Sequence, residues 1–418
     1  MGCGASKKAA TADTPPIAAP AVKKVATADT PPAAAPAVKV MSSPPPPLPP
    51  PPDPLPDGVL FIDDDFPIEA PFWPNNAIAN GCARPALAEG KCYWQLLPQF
   101  ADSETKPLAL YRNHGPDDIV QGCVGDCWLM GSLSALAEFP ERVKSLCCQT
   151  SLTPDGRYDV QLFHPVEERW VMLTIDDRFP THEDGSLLAS SYSTCFEIWP
   201  CVYEKACAKL FGGYERIRSN TPVLAFKVLT GCANKQLLHI VQGDKPSDIL
   251  CGGRDIEHKW TCWTPDFEGF RGSDSFDVPS PWPDDAASRR VRSDAELVQM
   301  LHWCDQHKFL MCMGADKPKG VTGKHVLKGL ISNHVYTLLE VRLNVADSGV
   351  NLCRLRNTWA QEEWEGPWCD ASEKWKEYPA VATELNEDGL LNDDGAFWME
   401  AADMLTHFPK IDICMKPA

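Results

Sequence analysis

Gln121-Gly-Cys-Val-Gly-Asp-Cys127-Trp-Leu-Met-Gly-Ser-Leu-Ser-Ala-Leu-Ala-Glu-Phe-Pro140 is the stretch on which the fold turns. Gly122 and Gly125 mark a tight loop of close backbone approach. Trp128, Leu129, Ser132, Leu133, Leu136 and Ala137 then recur at helical spacing until Pro140 ends the pattern. A helix therefore begins at Cys127. At a helix N-terminus the partial positive charge of aligned peptide dipoles favours thiolate over thiol, and the thiolate is the nucleophile. Gln121, on the loop upstream, is placed to aim its side-chain amide at an oxyanion, with the Cys127 backbone N–H as the second donor. Cysteine is commonly just a small core residue, and the chain has 18, so the assignment needs a base and an orienter.

Both are offered by Ser332-Asn-His334-Val-Tyr-Thr-Leu-Leu-Glu-Val-Arg-Leu343, the turn signal Asp347-Ser-Gly349, and Asn351-Leu-Cys-Arg-Leu-Arg-Asn357. The two flanking runs are rich in aliphatic residues and read as strands of an antiparallel hairpin. In a hairpin the start of the first strand lies beside the end of the second, which brings His334 to Asn357 within a residue or two of register. A histidine whose second nitrogen bonds an asparagine amide is held in one tautomer and can exchange a proton with a cysteine sulfur.

Composition sets the surroundings. A chain of 418 residues has room for two domains of ordinary size. Its formal net charge is −18, and its basic runs are no longer than pairs such as Lys7-Lys8 and Lys23-Lys24, so nucleic acid is not an expected partner. The first 56 residues hold five lysines and three aspartates, so the acidity belongs to residues 57–418. The cysteines are scattered and no signal peptide opens the chain, which reads as reduced thiols in the cytosol. No CxxC pair, HExxH or EF-hand loop pattern occurs, and no run of apolar residues is long enough to span a membrane.

Along the chain, Gly2 with Ser6 fits N-myristoylation and Cys3 is placed for palmitoylation, a pair of acyl chains that would anchor firmly. Thr11-Ala-Asp-Thr-Pro-Pro16 returns as Thr27-Ala-Asp-Thr-Pro-Pro32. Residues 44–52 are proline except for Leu48 and form a polyproline II rod, either a stiff spacer or a ligand for an SH3, WW or EVH1 groove. Aromatic and aliphatic residues that need a core recur from Asp57 onward, and the polar stretch Arg216 to Pro222 is the expected hinge. The expected organisation is a disordered, acylated, Pro-rich tail at 1–56, a first folded half with Cys127 at 57–220 and a second with His334 and Asn357 at 221–418.

Taken together, these blocks resemble the calpain protease core. Gln-Gly-x-x-Gly-Asp-Cys-Trp-Leu around Cys127, His334-x-Tyr336, and Arg356-Asn357-Thr-Trp359 followed by Glu363-Trp364-x-Gly366-x-Trp368 stand in the family's order. So do Phe61-Ile-Asp-Asp-Asp-Phe-Pro67, Ile175-Asp-Asp-Arg-Phe-Pro180, Trp199-x4-Glu204-Lys-Ala206 and Gly395-x-Phe397-Trp398. The resemblance implies an α+β, papain-like fold: a mainly helical half with Cys127 and a half of antiparallel sheets with His334 and Asn357. A protein substrate would lie in the cleft between them, beside Trp359. It also implies two calcium sites, with Asp118 and Glu197 as side-chain ligands in the first half and Glu363, Asp370 and Asp394 in the second; oxygen ligands suit a hard cation.

Five positions depart from the family's pattern. Asn333 replaces the glycine before the histidine, Thr358 and Ala360 replace the Pro and Gly of Asn-Pro-Trp-Gly, and Ala396 replaces a glutamate that is a calcium ligand. The arginine that pairs with that glutamate aligns with Pro116, so the salt bridge coupling the halves is missing from both ends. A weakened second calcium site and a closure less tightly gated by calcium are expected. No C2-like or EF-hand module is expected after Ala418.

The reading is a calcium-influenced cysteine endopeptidase, lipid-anchored at the cytoplasmic face of a membrane. A lipid-anchored scaffold that keeps the fold without turnover is the alternative. A transglutaminase would use Cys and His with an Asp orienter, against which Asn357 weighs.

Overall fold

Small side chains decide how the central helix packs. Helix α1 (Cys127–Ala137) is buried along its whole length after Cys127, so it has no solvent face. Its Gly131 and Ser132 let a sheet approach closely. A Cβ on Gly131 would stand 3.0 Å from Val335 Cγ1, Thr337 Oγ1 donates to Gly131 O at 2.9 Å, and Ser132 Oγ turns back to donate to Trp128 O at 2.8 Å. The computed structural model describes residues 45–66, 92–96, 107–112, 114–191, 196–242, 260–263, 289–291, 293–316, 326–385 and 394–416.

Around α1 the chain builds α2 (Pro140–Lys144), α3 (Trp199–Phe211) and α4 (Pro222–Thr230). Proline at the first turn starts α2, α3 and α4, where its missing N–H costs nothing. Gly212 at φ +89° and Gly231 at φ +60° end α3 and α4 in the left-handed conformation that suits glycine. Four strands accompany these helices: β1 (Tyr93–Leu96) pairs with β4 (Arg178–Thr181), and β2 (Arg157–His164) with β3 (Arg169–Asp176), both antiparallel.

The remaining strands are β5 (Leu237–Gln242), β6 (Trp260–Trp263), β7 (Arg289–Val291), β8 (Leu310–Ala315), β9 (Val326–Leu327), β10 (Leu330–Ile331), β11 (His334–Arg342), β12 (Leu352–Asn357), β13 (Ala396–Glu400) and β14 (Lys410–Cys414). Eight of them form one antiparallel sheet in the order β13-β12-β11-β8-β14-β5-β6-β7, while β9 and β10 pair separately. Helices α5 (Asp294–Gln306), α6 (Lys374–Glu377), α7 (Pro379–Leu385) and α8 (Ala401–His407) complete the second half. The architecture is the α+β arrangement of a helical half and an antiparallel-sheet half.

The described residues belong to one compact unit. The apolar cluster built on α1, α3 and α4 also takes in Leu237, Leu310, Cys312, Val335 and Cys414 from the second half. A second cluster, with Tyr336, Leu355, Trp364 and Phe397, fills the space under α5 and α8. Helix α4, which follows the polar stretch at Arg216, packs on β2 as well as on β5 and β14. No described helix is long and apolar enough to cross a membrane.

Three sequence blocks meet in a buried ionic cluster. Lys205 Nζ donates to Asp176 Oδ1 at 2.5 Å, to Asp176 O at 3.0 Å and to Arg178 O at 2.7 Å. Lys209 Nζ donates to both carboxylate oxygens of Asp63, and the Asp63 backbone N–H donates to Asp176 Oδ2 at 3.0 Å. Each buried charge is thus paired and hydrogen-bonded, which is what makes burial tolerable.

Residues 45–56 run as extended chain against the first half. Gln161 Nε2 donates to Pro46 O at 3.2 Å, and Leu55 N–H donates to Asp155 Oδ2 at 3.0 Å. The proline rod is therefore held near both ends, with Pro46 and Pro47 and then Pro49 onward exposed. Residues 1–44, with Gly2 and Cys3, lie outside the described residues.

Candidate active site

Cys127 is the first residue of α1, and Asp126 O accepts the N–H groups of Leu129 and Met130. The β11 strand starts beside this helix end. The backbone N–H of Val335, next to His334, points at the Cys127 sulfur and lowers its proton affinity, as do the N–H groups of Trp128 and Cys127. Burial outweighs them. Desolvation, reinforced by the Asp126 carboxylate, pushes the thiol from 9.0 up to about 11. Burial thus opposes the helix terminus at this sulfur, because the partial charge at a helix end offsets less than the cost of burying a full charge.

His334 is oriented by a network in which the direction of each hydrogen bond is forced. Tyr336 faces Asn357 across β11 and β12, and His334 stands two residues before it. Asn357 Nδ2 donates to the carbonyls of Gln361 at 2.6 Å and Glu362 at 3.1 Å, while its Oδ1 accepts the Trp359 backbone N–H at 3.0 Å. Carbonyls only accept and a backbone N–H only donates, so the amide has one orientation. His334 Nε2, 2.8 Å from Oδ1, must then be the protonated nitrogen, and Nδ1 is the basic one. The Trp359 ring lies 4.9 Å from the His334 ring, packed against it.

Gln121 is tied to the same segment. Its backbone N–H donates to Thr358 O at 2.8 Å. Its Oε1 accepts Trp359 Nε1 at 3.1 Å and Thr358 Oγ1 at 3.2 Å. Indole N–H is a donor only, so Oε1 faces Trp359 and Nε2 is turned the other way, as an oxyanion donor requires. Cys127, His334, Asn357 and Gln121 are thus gathered where the N-terminus of α1 meets β11 and β12.

A family profile described as "Calpain family cysteine protease" matches residues 61–415. The chain belongs to the calpain family of cysteine proteases. It is similar to Calpain-9 of Mus musculus, 27% identical over 368 residues, or 86% of this chain and 43% of that protein. It is also similar to Calpain-B of Drosophila melanogaster, 26% identical over 373 residues, 86% of this chain and 33% of that protein. The calpain-type cysteine protease DEK1 of Zea mays is 28% identical over 315 residues, 74% of this chain and 12% of that protein. The chain spans less than half the length of these curated relatives.

In this calpain-family chain the residues expected to hold calcium are arranged in pairs. The His114 N–H donates to Glu197 Oε1 at 3.2 Å and the next N–H, of Gly115, to Asp118 Oδ2 at 2.7 Å, so consecutive amides draw the first two carboxylates together. In the second half Gly395 N–H donates to Glu363 Oε1 at 2.6 Å and Ala396 N–H to Asp394 Oδ1 at 2.8 Å. Asp370 sits on the turn after Trp368, where the Cys369 thiol feels both Asp370 and Glu363 and is raised mainly by burial. These oxygen donors suit calcium chemically. Among the described residues no set of three or more His, Cys, Asp or Glu side chains closes round one point.

Sequence reading overlooked Arg356 and Asp117. The Arg356 guanidinium is fully buried and donates from Nη2 to Ile119 O at 2.9 Å and Asp117 O at 3.3 Å, while its Nε lies 3.4 Å from Asp117 Oδ1. It crosses from β12 to the first-half loop that leads into Gln121. Burial lowers its proton affinity, and Asp117, Asp394, Asp118 and Glu363 raise it. Arg356 and Asp117 thus form an ion pair between the second-half strand and the first-half loop. Arg356 stood in plain view beside Asn357, but linear spacing carries no sign that its side chain reaches residue 117.

The departures at Asn333 and Ala360 also acquire a physical meaning. Both residues occupy the left-handed region, Asn333 at φ +57° and Ala360 at φ +53°. Asparagine tolerates that conformation; alanine is strained in it.

Proposed function

We propose that this chain is a cysteine endopeptidase that cuts peptide bonds in protein substrates. The observation that carries the reading is the forced tautomer of His334 beside the helix end bearing Cys127. Cys127 Sγ attacks the scissile carbonyl carbon as its proton passes to His334 Nδ1. The carbonyl oxygen becomes an oxyanion facing Gln121 Nε2 and the Cys127 N–H. Collapse of the tetrahedral adduct breaks the C–N bond, His334 returns the proton to the departing amine, and a thioester remains on Cys127. Water then adds to the thioester, giving its proton to His334. The acid leaves and the thiol is restored.

Calcium enters this reading as an influence rather than a switch. Asp118 with Glu197, and Glu363 with Asp394 and Asp370, are the groups that would hold it; when bound, it would neutralise carboxylates and draw the halves together. The support for weak gating is that Arg356 already sits among Asp117, Asp118, Asp394 and Glu363. A resident cation opposes a second one nearby.

Myristate on Gly2 and palmitate on Cys3 would hold the enzyme at the cytoplasmic face of a membrane. The rod at 44–52 would offer an exposed polyproline face to an SH3 or WW groove.

The test is incubation of the full chain with casein, with and without calcium, beside Cys127→Ala. Turnover abolished by the substitution supports the peptidase. A folded wild type that stays inert over a wide calcium range hands the chain to the scaffold reading. Mass spectrometry of the native N-terminus tests acylation, and an unmodified Gly2 removes the membrane assignment.

A further inference from the structure

Thr358 stands where the family pattern has proline, and its side chain does something a proline cannot. It is fully buried, and its hydroxyl donates to Gln121 Oε1 at 3.2 Å while its carbonyl accepts the Gln121 backbone N–H at 2.8 Å. Trp359 Nε1 supplies the second bond to the same Oε1 at 3.1 Å. An amide oxygen has two lone pairs; here both are engaged, one by each donor. With one donor the carboxamide can still pivot about that bond. With two, the plane of the amide is set, and so is the direction of its N–H groups.

We propose that Thr358 is a positioning residue for the oxyanion donor, holding the Gln121 carboxamide so that Nε2 faces the developing charge. The inference rests on the peptidase reading above. Two properties of the site favour it. Among the described residues Gln121 Nε2 makes no hydrogen bond, so its donor capacity is left for a reacting group. Two donors on Oε1 also polarise the amide, which strengthens the N–H as a donor on its far side. Thr358 touches no substrate atom; it acts only through Gln121. The hydroxyl therefore matters when negative charge builds on the carbonyl oxygen, and not when substrate merely docks.

The experiment compares wild type with Thr358→Val, Thr358→Ser and Thr358→Ala in the full chain. Three quantities are measured: kcat and KM on a fluorogenic casein peptide, and the rate at which iodoacetamide alkylates Cys127. Alkylation occurs at a saturated carbon and forms no oxyanion, so it reports the thiol and His334 alone. Thr358→Val should lower kcat about fivefold, the effect of one hydrogen bond, with KM and alkylation within about twofold of wild type. Thr358→Ser, which keeps the hydroxyl, should restore kcat. Should the valine not fit its buried site, Thr358→Ala makes the same comparison with a smaller side chain.

Wild-type kcat in both hydroxyl-free variants overturns the inference, as does a parallel fall in kcat and alkylation, which would mean general damage to the site. A wild type that alkylates yet never cuts the peptide fails at the earlier step, taking the peptidase reading and this inference together. A wild type that cuts, matched by Thr358→Val, removes this inference alone.

Discussion

His334 Nε2 lies 2.8 Å from Asn357 Oδ1, and the partners on either side of the asparagine leave that contact only one polarity. The amide nitrogen faces two carbonyls and the oxygen also takes the Trp359 N–H, so the imidazole must be the donor. Replacing Asn357 by Ala frees the ring to rotate and to change tautomer. Activity on casein is expected to fall on the order of a hundredfold, with KM little changed. A loss under about threefold would mean that packing by Trp359 holds the ring unaided.

Cys127 yields a pH prediction. Burial holds its thiol at about 11 against an ordinary 9.0. In the enzyme without substrate, alkylation by iodoacetamide should be slow at neutral pH and climb as pH rises through 9 towards 11, because thiolate is the reacting form. A rate already level at pH 7 would show instead that His334 keeps the proton in the resting site as an ion pair.

Asp177 is a buried liability at neutral pH. It is pushed from 3.8 to about 6 by burial and by the neighbouring Asp176 carboxylate, and its Oδ1 has no hydrogen-bond partner among the described residues. Between pH 4 and 6 the folded state holds a proton that the unfolded chain has released. This group therefore favours folding fully at low pH, and its contribution is lost as pH rises through about 6. Asp177→Asn should raise stability at pH 7 to 8 by about 2 kcal/mol, with the gain vanishing below about pH 4. Urea melts across that range measure it, and an equal gain at every pH would remove titration as the cause.

Lys205 is the opposite case, a buried cation with a full set of partners. Lys205→Met leaves the Asp176 carboxylate buried beside Arg178 alone and should cost about 3–5 kcal/mol. A drop below about 1 kcal/mol in urea unfolding would show that Arg178 and the Asp63 amide suffice for Asp176.

Ala360 is held at φ +53°. Ala360→Gly should relieve about 1 kcal/mol of left-handed strain and move the urea midpoint upward. An unchanged or lower midpoint would mean that the entropy glycine gains in the unfolded chain cancels the relief.

Asp117 and Arg356 join the halves next to Gln121. Because Asp117 is itself largely exposed, Asp117→Ala should cost only about 1 kcal/mol of stability. Its larger effect should be on calcium response: activity in chelator falls, and the fraction recovered by added calcium rises. An identical ratio of activities with and without calcium in mutant and wild type would remove Arg356 as a contributor to closure.

Features with local causes were legible in the linear chain. The helix at Cys127 follows from its glycine-marked start, helical apolar spacing and Pro140, and the hairpin that carries His334 and Asn357 follows from two aliphatic runs around a polar turn. The α+β class was what the resemblance to the calpain core implied. The asparagine and alanine at left-handed positions were visible as departures, though not as conformations.

Other features needed the folded molecule, because they depend on groups far apart in sequence meeting in space. The proton affinity of Cys127 is one. A helix terminus is a local cause that lowers it, but burial, set by everything packed around the sulfur, raises it by more. The reach of Arg356 to Asp117 and of Thr358 to Gln121 each spans more than 230 residues of chain, and no periodicity encodes such a meeting. Local sequence determines which backbone forms; only the packed structure decides which polar atoms are left facing one another once water has been excluded.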